Sequence, residues 1–277
     1  MRRRQFIESS LAAASLLAAA PAAGAAESKA KAAAKDATTK AEFYELRVYR
    51  MRVGAQSKVV GDYLAQFYLP LANRLGSKTV GAFTLTFGPG LPAIYVLTPV
   101  TSLAAYQTLQ EHVADELPRS TIPAAVAFFN ATAKEPAYMR SENQLLRAFD
   151  SLPQLELPAG TAKKEPRIFE LRVYENPTDG AMAKKMEMFT PKLGEMDIFR
   201  RVGLAPVLFA RTVVGPQQPG FSYLLSFPDL AGREAAWKRF REDEAWLKLK
   251  ALPGYLDAEI MANITDLILT PTAYSQI

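Results

Sequence analysis

The chain has 277 residues, of which 49% are hydrophobic, and its formal charge is +5. This length suits one or two domains, and 15 Phe and 11 Tyr residues supply a sizeable core. The absence of cysteine and the presence of a single histidine exclude disulfides, zinc-thiolate sites, a cysteine nucleophile and a histidine-rich metal site.

The N-terminus has the pattern of an export signal. Residues 1–26 combine the charged run Arg2-Arg3-Arg4, a short Ala-rich apolar stretch from Leu11 to Ala20, and the cleavage-like Ala23-Gly24-Ala25. The adjacent arginines favour twin-arginine export over the general secretory route, which stays the alternative. The sequence therefore predicts a periplasmic or secreted protein, with a flexible Lys/Ala-rich tether at residues 27–41.

The charge that remains after cleavage does not indicate a nucleic-acid partner. Loss of residues 1–26 removes three arginines and one glutamate, which lowers the formal charge from +5 to +3. No run of Lys or Arg with interleaved aromatic residues follows. No later segment is long and apolar enough to predict a stable membrane span.

A near-copy of one short stretch organises the remaining chain. Phe43-Tyr44-Glu45-Leu46-Arg47-Val48-Tyr49 returns as Ile168-Phe169-Glu170-Leu171-Arg172-Val173-Tyr174. The repeat predicts two versions of one module, the first at residues 42–150 and the second at 167–277, joined by a linker at 151–166.

Both copies alternate with the period of a β-strand. The apolar face is suited to receive helices, whereas a polar face that points into a cavity can hold a polar ligand. The alternative, which is favoured because ion pairs commonly serve structure, is a Glu–Arg pair that bonds across a sheet and is capped by the tyrosine. The polar-face residues are Glu45, Arg47 and Tyr49 in the first copy and Glu170, Arg172 and Tyr174 in the second.

The elements that follow each copied strand also match. Apolar residues at helical spacing predict a helix in each module, and Pro70 and Pro191 are expected to kink or restart these helices. Two strands joined by a Gly/Pro-rich turn, a second helix and a closing strand come next. In the second module Trp246 falls off the helical stripe, which favours a flank packed on a loop. The predicted hairpin and closing strands are 81–87, 93–97 and 144–149, then 206–214, 221–227 and 263–270.

Each module thus has the order β-α-β-β-α-β, the ferredoxin-like plan. Helices cover one face of such a sheet, and the other face needs a second cover. Two copies in one chain cover each other. The sequence therefore predicts an α+β fold in which two tandem modules form a pseudo-dimeric α/β barrel, either as a monomer or as a homodimer.

The copied strands, together with Ala236-Trp237-x-x-Phe240 and the closing Thr272-Ala273-Tyr274-Ser275-Gln276-Ile277, resemble the NIPSNAP family. The resemblance covers residues 42–277 and implies the dimeric α/β-barrel group. It offers no accepted catalytic residues. The best-known animal members are mitochondrial and act in vesicle traffic and mitophagy, roles that do not transfer to an exported protein.

Barrels of similar fold supply two hypotheses about chemistry. Some hold haem through a histidine on a helix, but His112 is better interpreted as a solvated or capping residue, so no cofactor and no metal is predicted. Others are cofactor-free oxygenases and isomerases. In that class Glu45 or Glu170 would be the base, Arg47 or Arg172 would hold an anionic substrate, and Tyr49 or Tyr174 would donate, with Arg211 nearby.

The first hypothesis for function is therefore an exported protein that binds a small molecule or a protein partner in its barrel or on its sheet edges. The alternative is a cofactor-free enzyme of the oxygenase/isomerase type with a site in the barrel interior.

Overall fold

The computed structural model describes residues 40–277, so the predicted export signal and most of the tether lie outside the described residues. Eight β-strands dominate this part of the chain. They are β1 (Phe43–Arg50), β2 (Gly81–Phe87), β3 (Ala93–Val100), β4 (Arg140–Ala148), β5 (Ile168–Glu175), β6 (Ala205–Val214), β7 (Gly220–Phe227) and β8 (Asn263–Pro271).

The strands form one closed antiparallel barrel in the order β1-β3-β2-β8-β5-β7-β6-β4. Each half contributes four neighbouring strands in the ferredoxin-like order, and the halves meet at two seams, β2 with β8 and β4 with β6. The predicted pseudo-dimeric α+β barrel is confirmed. Each of the eight strands is paired on both sides, so this sheet has no open edge. The hypothesis that a partner binds on a sheet edge is therefore wrong.

Helices lie around the outside of the barrel. Within residues 40–277 none of them has the length and hydropathy to cross a bilayer. The α-helices are α1 (Gln56–Tyr63), α2 (Leu69–Arg74), α3 (Leu103–Glu116), α4 (Pro123–Phe129), α5 (Asp179–Met188), α6 (Glu195–Val202), α7 (Leu230–Glu242), α8 (Glu244–Leu249) and α9 (Asp257–Ile260).

The two prolines act on their helices in the two predicted ways. Pro70 has no N–H for the preceding turn, and the segment Leu64–Tyr68 widens into a π-helical turn that joins α1 to α2. Pro191 follows the end of α5, and the chain restarts as α6 after Gly194. The two halves therefore share a plan but differ in how their first helix passes the proline.

The barrel interior is a packed apolar core built from both halves. It includes Leu46 and its copy Leu171, together with Phe83, Leu146 and Leu208. The cavity among these side chains measures about 10 Å³, no more than the space of a single water molecule. The middle of the barrel therefore leaves no room for a substrate or a protein segment.

Several boundaries differ from the predicted ones; β3, for example, runs to Val100 instead of ending at residue 97. β4 begins at Arg140 rather than Gln144, because Glu142 and Asn143 bond to groups on β1. The second helix of the second half stops at Glu242, since Asp243 caps a new helix by accepting from the backbone N–H groups of Ala245 and Trp246. This restart places Trp246 in a buried position, where its ring packs against Phe240.

Candidate functional site

The two Glu–Arg pairs lie on the outer face of the barrel, beneath the helices. Glu45 bonds to Tyr68 and to Gln110 of α3, and Glu170 bonds to Arg233 and Trp237 of α7. The expectation that the apolar strand face receives the helices was therefore wrong, and the Glu, Arg and Tyr side chains of the copied strands face the helices rather than the barrel interior. In the closed barrel the apolar faces of the strands pack against each other in the interior. The polar faces of the copied strands therefore lie against the helices outside.

In the first half Glu45 is saturated with hydrogen bonds. Its Oε1 accepts from Arg47 Nε at 3.1 Å, Arg47 NH2 at 2.5 Å and Asn143 Nδ2 at 2.7 Å. Its Oε2 accepts from Tyr68 OH at 3.0 Å and Gln110 Nε2 at 3.2 Å. The carboxylate is fully buried, so every lone-pair direction is used by the fold.

Aromatic side chains fill the space beside Glu45. Tyr49 makes edge contacts with Phe128 and Tyr138, and Tyr63 stacks on Phe128 with 3.8 Å between ring centroids. Burial raises the pKa of Tyr49, and burial likewise raises the pKa of Tyr68 well above its usual value, so both phenols keep their protons. The first cluster is therefore a locked hydrogen-bonded network, but its Glu–Arg pair lies within one strand rather than across the sheet, and the phenol that bonds to Glu45 is that of Tyr68.

The second half carries a more charged version of this cluster. Glu170 Oε1 accepts from Arg172 Nε at 2.6 Å and Arg233 NH2 at 2.8 Å, and Oε2 accepts from Trp237 Nε1 at 2.6 Å. The Arg172 guanidinium lies 3.9 Å from the centre of the Trp237 ring. Arg233 NH2 also donates to Asp266 Oδ2 at 2.7 Å.

Register explains the difference between the halves. Arg47 of β1 lies opposite Asn143 of β4, whereas its copy Arg172 of β5 lies opposite Asp266 of β8. A carboxylate thus replaces an amide at the equivalent place. Burial opposes ionisation of Glu170, but Arg172, Arg233 and Trp237 outweigh it and hold the pKa of Glu170 below its usual value. Burial and the charge on Glu170 raise the pKa of Asp266 from 3.8 to about 6.

A pocket of about 290 Å³ opens beside this second cluster, between β5 and helices α5 to α8. Its wall contains a buried ion pair in which Lys185 Nζ lies 3.1 Å from both carboxylate oxygens of Glu195. Burial raises the pKa of Glu195 even beside this lysine. The lining residues are Arg172, Tyr174, Lys185, Glu195, Phe199, Trp237, Phe240, Arg241, Trp246, Lys250, Asp257 and Ile264. We call it the second-half pocket.

The structure joins some of the predicted site residues and separates others. Arg172 and Tyr174 line the second-half pocket, and Glu170 lies behind Arg172. Glu45, Arg47 and Tyr49 form the locked cluster of the first half. Arg211 shares the outer face but pairs in register with Arg147 and Phe221 and bonds to neither glutamate. A ligand-binding role for these residues stays a prediction.

Sequence reasoning missed Arg233, Asp266, Lys185 and Glu195. Asp266 was within reach, since pairing the copied strands with the closing strands brings Asn143 and Asp266 to equivalent positions. Lys185 and Glu195 lie on α5 and α6, so their contact depends on how the chain passes Pro191, which the spacing does not indicate. His112 lies on the surface, where its Nδ1 is 2.9 Å from Glu116 Oε1. Among residues 40–277 no three His, Asp or Glu side chains are arranged to hold a metal ion.

The family model of NIPSNAP matches residues 44–150 and 169–276, one match for each half of the barrel. The chain belongs to the NIPSNAP family. A NIPSNAP-like domain protein from Burkholderia xenovorans is 20% identical, with a TM-score of 0.35 over 40% of this chain and 90% of that chain. No curated protein matches the sequence.

Two solved structures resemble this NIPSNAP-family chain in fold over most of its length. A proposed monooxygenase from Fusobacterium nucleatum has 7% identity and a TM-score of 0.51 over 84% of this chain and 93% of that chain. A second proposed monooxygenase, from Lactobacillus acidophilus, has 8% identity and a TM-score of 0.50 over 84% and 94%. At these identities the likeness is one of fold.

Proposed function

We propose that this NIPSNAP-family protein binds a small aromatic anion in the second-half pocket. The proposal rests on the residues that line this pocket, which include five aromatic side chains and four cationic ones. Flat aromatic walls select a planar apolar body, and cations select a carboxylate or phenolate.

Volume and charge narrow the class of ligand. A cavity of roughly 150 Å³ accepts a benzene ring, so about 290 Å³ suits one ring with substituents. Lys185 is neutralised by Glu195, and Arg172 by Glu170. Arg241 pairs with Glu234, and Asp257 adds an exposed carboxylate to the lining. Lys250, at the exposed edge of the pocket, is the cation that would meet an incoming anion. A substituted benzoate therefore fits both the space and the charge.

Binding is better supported than catalysis by either predicted base. Glu45 has no lone pair to offer, and the lowered pKa of Glu170 makes it a weak proton acceptor. The second candidate function, a cofactor-free oxygenase or isomerase, is favoured by Asp266. Its pKa of about 6 suits a general base, and it shares the outer face of β8 with Ile264 of the pocket.

The binding proposal is tested by calorimetric titration of the mature protein with 4-hydroxybenzoate, and with benzyl alcohol as the uncharged comparison. Binding of the benzoate alone is expected. Lys250→Gln removes the edge charge and should weaken binding about three- to tenfold, the loss of one charge-assisted contact near solvent. Lys238→Gln removes the same charge from an exposed site outside the pocket and should change nothing. Equal affinity for both compounds would refute the proposal.

Analysis of the compounds recovered after incubation with the protein separates the two candidate functions. Under the enzyme alternative, an activated aromatic substrate is turned over in air without added cofactor, and Asp266→Asn abolishes turnover while binding persists. Under the binding proposal, 4-hydroxybenzoate is recovered unchanged from both proteins.

Export is part of the proposal, and the Arg2-Arg3-Arg4 run with the Ala23-Gly24-Ala25 site supports it. Native mass spectrometry of the protein from the periplasm should give the mass of residues 27–277, with any bound ligand as added mass. A full-length mass confined to the cytoplasm would refute export.

A further inference from the structure

A second cavity, of about 340 Å³, lies at one end of the barrel. The ends of β1 and β5 and the turns of both hairpins surround it, with Pro89 from one turn and Pro216 from the other. Its floor is formed by Leu46 and Leu171, the copied leucines above the packed interior. We call it the mouth pocket. It opens inside the ring of strands, whereas the second-half pocket lies outside that ring.

The two walls of the mouth pocket differ although the halves are copies. Leu46 lies opposite Gln144 of β4, whereas its copy Leu171 lies opposite Leu267 of β8. One wall therefore presents an amide where the other presents an isobutyl group. The result is an amphipathic pocket with a polar side and an apolar side.

The Gln144 amide has no partner within residues 40–277. Its Oε1 is buried and accepts no hydrogen bond from the described residues. The amide is also confined, because Gly215 approaches so closely that a Cβ there would lie 2.9 Å from Gln144 Cγ. Buried polar atoms are nearly always paired, and leaving one unpaired costs about 1–3 kcal/mol. Folding alone would favour leucine here, as in the second half.

The charged groups of the mouth pocket satisfy each other. Arg50 Nε and NH2 donate to the two carboxylate oxygens of Glu142 at 2.8 and 2.9 Å. Burial raises the pKa of Tyr95, so its phenol stays neutral. The pocket consequently presents no net charge to a ligand. Its lining also includes the polar side chains of Gln217 and Thr265, and Gln144 Oε1 is the lining acceptor that is both buried and without a partner among the described residues.

We propose that the mouth pocket binds a neutral amphipathic molecule, an alcohol or phenol of one or two rings, whose hydroxyl donates to Gln144 Oε1. The apolar body lies against Leu171, Val173 and Leu267. The volume agrees, since roughly 150 Å³ holds one benzene ring and the mouth pocket has about twice that space. The mouth pocket is separate from the second-half pocket, so this proposal holds whether or not the second-half pocket binds an aromatic anion.

Fluorescence titration with 2-naphthol, and with naphthalene as the probe without a hydroxyl, tests the proposal. Wild-type protein should bind 2-naphthol saturably. Gln144→Leu, which copies the residue of the second half, should weaken 2-naphthol about three- to tenfold, the value of one neutral hydrogen bond, and leave naphthalene within about twofold. Ser141→Ala, on the outer face of the same strand, should change neither probe.

Two further measurements keep the outcome decisive. Val173→Trp fills the mouth pocket and should abolish both signals. A crystal structure of the wild-type complex should place the naphthol oxygen in hydrogen-bonding distance of Gln144. The proposal is overturned if 2-naphthol fails to bind, if Gln144→Leu binds both probes as wild type does, or if the crystal holds only ordered water at Gln144.

Discussion

The substitution Asp266→Asn tests the electrostatics of the second cluster most directly. Asp266 is an acid whose pKa is raised from 3.8 to about 6 in the folded protein, so the folded state binds its proton more tightly than the unfolded state does. The contribution to stability is therefore full below about pH 4 and is lost as the pH rises through 6. Asparagine mimics the protonated acid and removes this dependence.

The expected change in unfolding free energy follows from the pKa shift of Asp266 and from the exposure of its side chain. A shift of about two pKa units corresponds to an upper bound of about 3 kcal/mol. The Asp266 side chain is 37% exposed, and solvent screening reduces this to about 1 kcal/mol. The variant should thus gain about 1 kcal/mol in unfolding free energy over wild type between pH 4.5 and 7.5. For a folded part of this size that gain is a rise of about 2–4 °C in Tm.

Urea denaturation followed by tryptophan fluorescence is the assay, because both tryptophans, Trp237 and Trp246, line the second-half pocket. Taking the difference between variant and wild type at each pH cancels the titration of groups that do not interact with Asp266, whereas Glu170, whose charge raises the pKa of Asp266, titrates together with it. Asn143→Asp is the mirror control. It places a second carboxylate beside Glu45 and should destabilise the protein by about 2 kcal/mol at pH 7.5. A pH-independent loss of stability in Asp266→Asn would refute the reasoning.

Three further predictions concern buried polar groups. Glu45→Gln leaves the Arg47 guanidinium without its counter-charge and should cost about 3 kcal/mol in chemical denaturation, with no change in ligand binding; a variant as stable as wild type would contradict the locked network. Lys185→Met isolates Glu195 and should cost about 3–5 kcal/mol, whereas adding Glu195→Leu should restore most of this loss; a double variant no better than the single one would show that the pair contributes net stability. Gln144→Leu should raise the unfolding free energy by about 1 kcal/mol, and a lower Tm would mean that the amide serves the fold.

The sequence predicted the barrel well because the pattern that specifies it is local and occurs twice. Two copies of a Glu-Leu-Arg strand, each followed by the same order of elements, permit few other closed arrangements. Which face of each copied strand meets the helices was not predictable in the same way. Alternation shows that Phe169 and Glu170 lie on opposite faces, yet both are completely buried, so hydrophobicity alone does not indicate which face meets the helices.

The candidate site depended on contacts that lie far apart in the chain. Glu170 meets Trp237 across 67 positions, and Asp266 completes the cluster from the last strand. The break in the helix at Asp243 comes from its side chain, which accepts from the backbone N–H groups of Ala245 and Trp246 and so sets where Trp246 enters the core. Long-range partners of a buried charge are selected by the packed fold rather than by periodicity.

Covalent linkage of the two halves has a consequence for how the protein can change. A homodimer of one module would carry every substitution twice, once on each side of its axis. Here the two halves differ in sequence, so Asn143 can change without Asp266, and Gln144 without Leu267. Hydrogen bonds close the cluster around Glu45, whereas a pocket adjoins the cluster around Glu170, an asymmetry that two identical modules could not hold.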